Sequence, residues 1–354
     1  MQLSRYLLLR LGKTTVAAWA IISCIFLLSR LTSGDALIRS VLDEAFTQPT
    51  ITATERAQTE ALLRHRFGLD MPLFYVSFST PAGATSPTWM WHGTTNQYHR
   101  WLNSLLHGNL GHSYREDTAV TELLRRAMQY TLPLTMLAAL LGVALTFELC
   151  IWLEYHPAWR SAMLSILYAV QAMPLFVIAL VLLLLLANPD VLAWFPAYGL
   201  GSLGAMSPWE GGLGQYLYHM VLPLISLILV SVPGLVIQLS ASMQLELHAG
   251  YVATARAKGA TPRAVVRHHI FRNALLPVLP LLAELLPNLV AGSVVVEMIF
   301  ALPGMGRLLA EAASTQDYPV LLGAVLLVSL ARLFSQLLAD VLYQWVDPRI
   351  RLSA

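Results

Sequence analysis

The residues whose types and spacing suggest work lie between Tyr251 and Pro277. The chain reads Tyr251-Val-Ala-Thr-Ala-Arg-Ala-Lys-Gly259, then Thr261-Pro262-Arg263, then Arg272-Asn273-Ala-Leu-Leu-Pro277. Gly259 can take the left-handed conformation that ends a helix. Thr261 can cap the next helix, with Pro262 at its first position, where no amide hydrogen is missed. A short helix, a sharp turn and a second helix have the shape of a docking element, so the chemistry is recognition and not bond-making. Motifs for bond-making are missing. Gly12-Lys13-Thr14 has the end of a phosphate loop, but Leu7 stands where the first glycine belongs and the surroundings read as helix. His-Glu-x-x-His and Gly-x-Ser-x-Gly patterns are absent, so neither ATP chemistry nor hydrolysis is expected of this chain, and no cofactor.

What must position these residues is a set of membrane spans. Charged residues are 12% and hydrophobic ones 56%, against about 25% and 45–50% in soluble domains. About 20 apolar residues cross the hydrocarbon as a helix. The windows are Thr14–Ser29, Thr131–Leu153, Ser161–Ala187, Met220–Leu245, Asn273–Val296 and Tyr318–Val346. They predict an all-α membrane protein of about six spans, since the strand alternation of a barrel is absent. The docking element lies in the 246–272 loop, between the fourth and fifth spans. Ionisable groups inside spans are few: Glu148, Glu284, Glu297, Arg332 and Asp340. A charge at the bilayer centre costs at least about 2.5 kcal/mol, so each needs a partner or a wet path. Arg332 calls for a carboxylate such as Glu284 or Asp340. Contacts between helices are the reading preferred over substrate contact.

Lys and Arg set the orientation. Arg5, Arg10 and Lys13 precede the first span, and Arg160 lies between the second and third. Arg256, Lys258, Arg263, Arg267 and Arg272 fill the 251–272 loop, and Arg349 and Arg351 the tail, whereas 188–219 has none. Both termini and the Tyr251 loop are therefore expected in the cytoplasm, and the first span is read as a retained anchor. Topology also explains the net charge of +2, so nucleic acid is not an expected partner; lipid is. Cys24 and Cys150 both fall in spans and read as small hydrophobes, not as a disulfide or metal pair. Five of the ten histidines fall in 32–130, scattered without ligand spacing, so no metal site is assigned. Trp89, Trp91 and Trp101 suit the membrane interface or a partner protein. The 80–96 stretch, rich in Pro, Gly, Ser and Thr, reads as a loop without a core.

The Tyr251–Gly259 stretch resembles the cytoplasmic "EAA" loop of permease subunits in binding-protein-dependent ABC importers, peptide/nickel branch. Gly68–Pro72, Trp101–Ser113 and Thr131–Thr135 match further family blocks. So do Glu297-x-x-Phe300 leading into Pro303-Gly304-Met305-Gly306, and Asp340-x-x-Tyr343 with Asp347-Pro348-Arg349. Asn109 replaces the usual Asp, Ala36 follows Gly34-Asp35 in place of Pro, and the 80–97 insertion has no counterpart.

The resemblance implies the type I ABC importer permease fold with an extracytoplasmic excursion after the first helix. The divisions are 1–31, 32–130 and a permease core over 131–350. It implies an ATP-driven importer of peptides or similar solutes in the inner membrane. Its partners would be a second related permease, two ATPase subunits and an extracytoplasmic substrate-binding protein. Tyr251, Ala255 and Ala257 would then fill an ATPase groove, with Arg256 and Lys258 at its rim and Gly259, Thr261 and Pro262 shaping the turn. The competing readings are an ATP-independent secondary transporter or channel, to which Glu284 and Arg332 lend slight support, and a membrane scaffold.

Overall fold

Long apolar stretches leave the backbone one way to satisfy its polar groups in lipid, and helices are what the computed structural model contains. It describes residues 12–24, 26–27, 58–62, 64, 70–79, 88–196 and 213–346, with 213 and 337–346 as backbone alone. Arg5, Arg10, Gly34-Asp35, Gly68-Leu69, most of the 80–97 insertion's first half and Asp347-Pro348-Arg349 lie outside the described residues. In order come helices over 12–24 (α1) and 58–62 (α2), then strands Val76–Ser79 (β1) and Thr88–Trp91 (β2). Next are Gln97–Leu106 (α3), Val120–Tyr155 (α4), Pro157–Gln171 (α5) and Leu175–Leu182 (α6), the last continued by a π-turn over Leu183–Ala187. Leu213–Glu246 (α7) and Gly250–Ala257 (α8) follow. Then α9 runs through Pro262–Ala264, Val265–Ile270 and Phe271–Ala274. Leu279–Ile299 (α10), Met305–Ser314 (α11) and Tyr318–Val346 (α12) complete the chain.

Among the described residues, four helices are long and apolar enough to cross a bilayer, and a fifth if α5 and α6 form one span. The first expected span is described only through 27, too little to count. The third is not the continuous helix that hydropathy suggested: α5 and α6 meet at 101°. Pro174 holds an extended ψ of 144° at the break, lacks an amide hydrogen and disfavours helix at Met173. The fifth begins later than Asn273, because Pro277 sits in a 3₁₀ turn and α10 starts only at Leu279. The second begins earlier than Thr131. No glycine or proline lies between Val120 and Thr131, so α4 spans 36 residues, about 54 Å at 1.5 Å each.

The chain divides into two compact units. In the first, 125–310 with the chain from 328 onward, α5, α6 and α10 pack around α7, and α4 meets it where the Cys150 thiol reaches the Val236 carbonyl at 3.6 Å. Its core holds Cys150, Leu153, Leu222, Leu227, Leu239 and Met243, and it continues into Val252, Val265, Val266 and Ile270 of α8 and α9. Hydroxyls in the spans donate to carbonyls a turn back, as Thr146 to Gly142 at 2.7 Å and Ser226 to Leu222 at 2.8 Å, which satisfies them without water.

The second unit comprises 14–124 and 311–327. Its core joins Phe26, Tyr98 and Leu322, with Trp101 stacked on Phe26 at 4.8 Å. The expected coreless loop holds β2, which pairs antiparallel with β1, Val76 opposite Trp91 and Phe78 opposite Trp89. Four residues per strand are too few for alternation to register in a sequence. The Asp317 carboxylate accepts from the Ser113 hydroxyl at 2.5 Å and the Tyr114 amide at 3.3 Å. That bond ties the Trp101–Ser113 block to the residue that opens α12.

Candidate functional site

Between α7 and α10 the chain folds as the residue types require. Gly259 has φ +83°, the left-handed value that ends α8. The Thr261 hydroxyl accepts from the Ala264 amide at 3.3 Å, and Pro262 takes the first helical position of α9. In α8 the 3.6-residue period sorts the faces. Val252 is buried, and Tyr251 and Ala255 pack on the bundle core; Ala253, Thr254, Arg256, Ala257 and Lys258 face outward. Of the three residues expected to fill a partner's groove, Ala257 is therefore the exposed one. Tyr251 and Ala255 instead seat the helix, because positions four apart on a two-turn helix share the face that the core claims.

Tyr251 is held by more than packing. Its hydroxyl donates to the Glu246 carboxylate at 2.5 Å, joining α8 to the last residue of α7. Burial, followed by this hydrogen bond, raises its pKa above the ordinary phenol value. The outward face is basic, with Arg256, Lys258, Arg263 and Arg267 all exposed. An element of this kind can bind an acidic, concave protein surface and convey force to two spans at once. No side chain in it is arranged for covalent chemistry.

Among the described side chains, Glu284, Glu297 and Arg332 make no bond to one another. Glu297 is fully buried and forms a latch. Its carboxylate accepts from the Thr131 hydroxyl at 2.6 Å, from the Gly306 amide at 2.7 Å and from the Arg307 amide at 3.3 Å. Thr131 in turn accepts from the Met305 amide at 2.8 Å. The free amides at the start of α11 are thus capped by groups from α10 and α4, and a negative group there also meets the positive end of the helix dipole. The glycines around it are steric requirements. A Cβ at Gly304 would overlap the Glu297 carboxylate, and one at Gly306 would overlap Val294. Glu284 and Arg332 are both exposed, and no ion pair joins them among the described residues, so the expected internal pairing of those two is not made. Asp340 lies in the part of α12 described as backbone alone.

Sequence reasoning missed Glu246, and it missed the roles of Glu154, Arg160 and Gln244 at the same end of the bundle. Arg160 figured only in topology. The only available signal was the presence of charges within one turn of span ends.

Comparison with known proteins follows this geometry. Residues 138–352 match the family model described as "Binding-protein-dependent transport system inner membrane component". The chain is 32% identical over 257 residues to the oligopeptide transport system permease protein AppB of Bacillus subtilis, covering 72% of this chain and 79% of that one. It is 30% identical to the probable peptide ABC transporter permease protein y4tP of Sinorhizobium fredii, over 98% of this chain and 99% of the relative. Among solved structures, an inward facing conformation of the MetNI methionine ABC transporter aligns with TM-score 0.48 and 17% identity, covering 64% of this chain and 97% of that one. The chain is a multi-pass membrane protein, and it belongs to the family of inner membrane components of binding-protein-dependent transport systems, whose members are transport subunits and not enzymes.

Proposed function

We propose that this chain is the permease subunit of an ATP-driven importer that moves peptides or related small solutes across the cytoplasmic membrane. It pairs with a second, related permease to enclose the pathway, binds two ABC ATPase subunits through α8 and the start of α9, and receives solute from an extracytoplasmic binding protein. Both termini and the docking element face the cytoplasm, and residues 32–130 face outward, in keeping with the Lys and Arg distribution. The observation that carries the reading is the docking element itself. A short helix with an exposed basic face is rooted in the bundle core by Val252, Val265, Val266 and Ile270. ATP-driven movement of bound ATPases would shift this element, and helices fixed to it would turn the shift into alternating access. Peptide as the solute rests on the relatives named for peptide transport.

The test is reconstitution. The purified chain alone should hydrolyse no ATP. Co-expressed with ABC ATPase subunits and a second permease from the same genome, it should co-purify in a complex whose ATP hydrolysis rises with binding protein and peptide. ATP turnover by the chain alone, or peptide transport without any ATPase, would overturn the proposal.

A further inference from the structure

We infer that Glu154 and Arg160, at the corner between α4 and α5, are positioning residues that carry movement of the docking element into the bundle. The inference rests on the coupling role proposed above and names where the force goes.

The corner is the point on which both ends of the docking element converge. From the α7 side, Tyr251 of α8 bonds to Glu246. Two residues back, Gln244 donates to both oxygens of Glu154 at 2.9 and 3.0 Å. Arg160 completes the joint with one nitrogen on Glu154 at 2.6 Å and the other on the carbonyl and hydroxyl of Ser240, at 3.0 and 2.7 Å. Only 6% of the Glu154 side chain and 19% of the Arg160 side chain are exposed. From the other side, the Arg263 guanidinium of α9 lies 5.9 Å over the Tyr155 ring, and about two turns before the corner Phe271 meets Phe147 edge to face at 5.1 Å.

The last two turns of α7 therefore cannot shift without the α4–α5 corner. Arg160 supplies the planar fork that reaches a carboxylate and a neighbouring helix together, which a lysine ammonium cannot do in the same geometry. A charge pair shielded this well would be a costly way merely to close a turn. At a joint under load it fixes one geometry. Downstream, α5 packs on α7 as far as Gln171, whose amide lies 3.4 Å from where a Gly234 side chain would begin. Immediately beyond comes the 101° break, so the corner drives a rigid rod that ends at the bend.

The experiment uses the whole complex in liposomes with binding protein and a peptide substrate, and reads transported peptide per ATP hydrolysed. Arg160→Lys keeps the charge and loses the fork. It should assemble and hydrolyse ATP within about twofold of wild type, yet transport at least tenfold less per ATP. Gln244→Leu should lose a smaller part, and Ser231→Ala, whose hydroxyl bonds only within α7, none. A purely architectural role would lower yield and leave that ratio alone. If Arg160→Lys and Gln244→Leu both assemble and transport at the wild-type ratio, the inference is wrong while the importer reading stands. If wild type itself forms no ATPase complex, it is the importer reading that fails. Should the variants not assemble, spin labels on Ala158→Cys and His269→Cys, both exposed and outside the basic face, decide the matter in the otherwise intact complex. Their separation should hold through the ATP cycle, and a change as large as a helical turn, about 5.4 Å, would overturn the joint.

Discussion

Replacing Glu297 tests whether the buried carboxylate is a helix cap. Glu297→Ala deletes two short bonds, from Thr131 at 2.6 Å and Gly306 at 2.7 Å, and a third at 3.3 Å too long to weigh much. A buried donor stripped of its acceptor costs about 1–3 kcal/mol, and measured side-chain bonds between membrane helices fall near the lower end. Two such losses come to about 2–3 kcal/mol of local stability at the start of α11. Removing a buried carboxylate also relieves desolvation, so global unfolding is a poor readout because opposing terms cancel there. Amide hydrogen exchange at Gly306 and Arg307 reads the cap directly. At 1.4 kcal/mol per decade, exchange there should quicken by about 30–140-fold in Glu297→Ala, with amides in the middle of α4 unchanged. Glu297→Gln keeps an acceptor for Gly306 and can turn its amide toward the Thr131 hydroxyl, so its acceleration should stay under about tenfold. Wild-type exchange rates in the alanine variant would refute the cap and, with it, the account of why Gly304 and Gly306 are glycines.

Three further outcomes follow from the same geometry. Gly304→Ala should reproduce the exchange pattern of Glu297→Ala, since its Cβ would occupy the carboxylate's place; unchanged protection would show the overlap to be relieved elsewhere. Gly259→Val should insert and assemble but transport less per ATP, because a β-branched residue at φ +83° is strained by about 1–3 kcal/mol while nothing lies within 4 Å of its Cβ. Gly259→Asn, which tolerates that conformation, should retain most transport, and equal loss in both would point to size and not to backbone strain. Finally, the raised Tyr251 pKa means that the seated form keeps its proton where a released Tyr has lost it. The seating is then complete below the ordinary phenol pKa near 10 and weakens as pH rises past it. A spin label at Ala253→Cys should gain mobility in that range in wild type and not with Tyr251→Phe; matching profiles would exclude Tyr251 as the titrating group.

The parts legible in the sequence were those set by local rules. Tyr318–Val346 is a helix with the bounds its hydropathy gave, and Gly259 and Thr261-Pro262 shape the turn as their backbone preferences require. Elsewhere hydropathy reports depth in lipid and not where a helix stops, so the apolar window opens at Thr131, eleven residues inside a helix that starts at Val120. Pro174 did carry a readable warning of the break after α5, which an uninterrupted apolar count hid. The facing of Tyr251 and Ala255 depends on what lies beneath α8, and Thr131 and Ser240, which complete the contacts of Glu297 and Arg160, lie 166 and 80 residues away. No local pattern encodes such distances.

The latch also implies an order of events during synthesis. Thr131 is made 166 residues before Glu297, whereas the Gly306 and Arg307 amides follow it by 9 and 10. When α10 first leaves the ribosome, its carboxylate has one acceptable neighbour waiting on α4 and two not yet formed. Lateral release of α10 into lipid at that moment would leave a carboxylate in hydrocarbon. Retaining it for the few seconds needed to add α11 would let the charge enter the bilayer already enclosed, at a synthesis rate of about 5–20 residues per second. The Pro303-Gly304-Met305-Gly306 turn, by returning the chain within so few residues, keeps that exposed interval short.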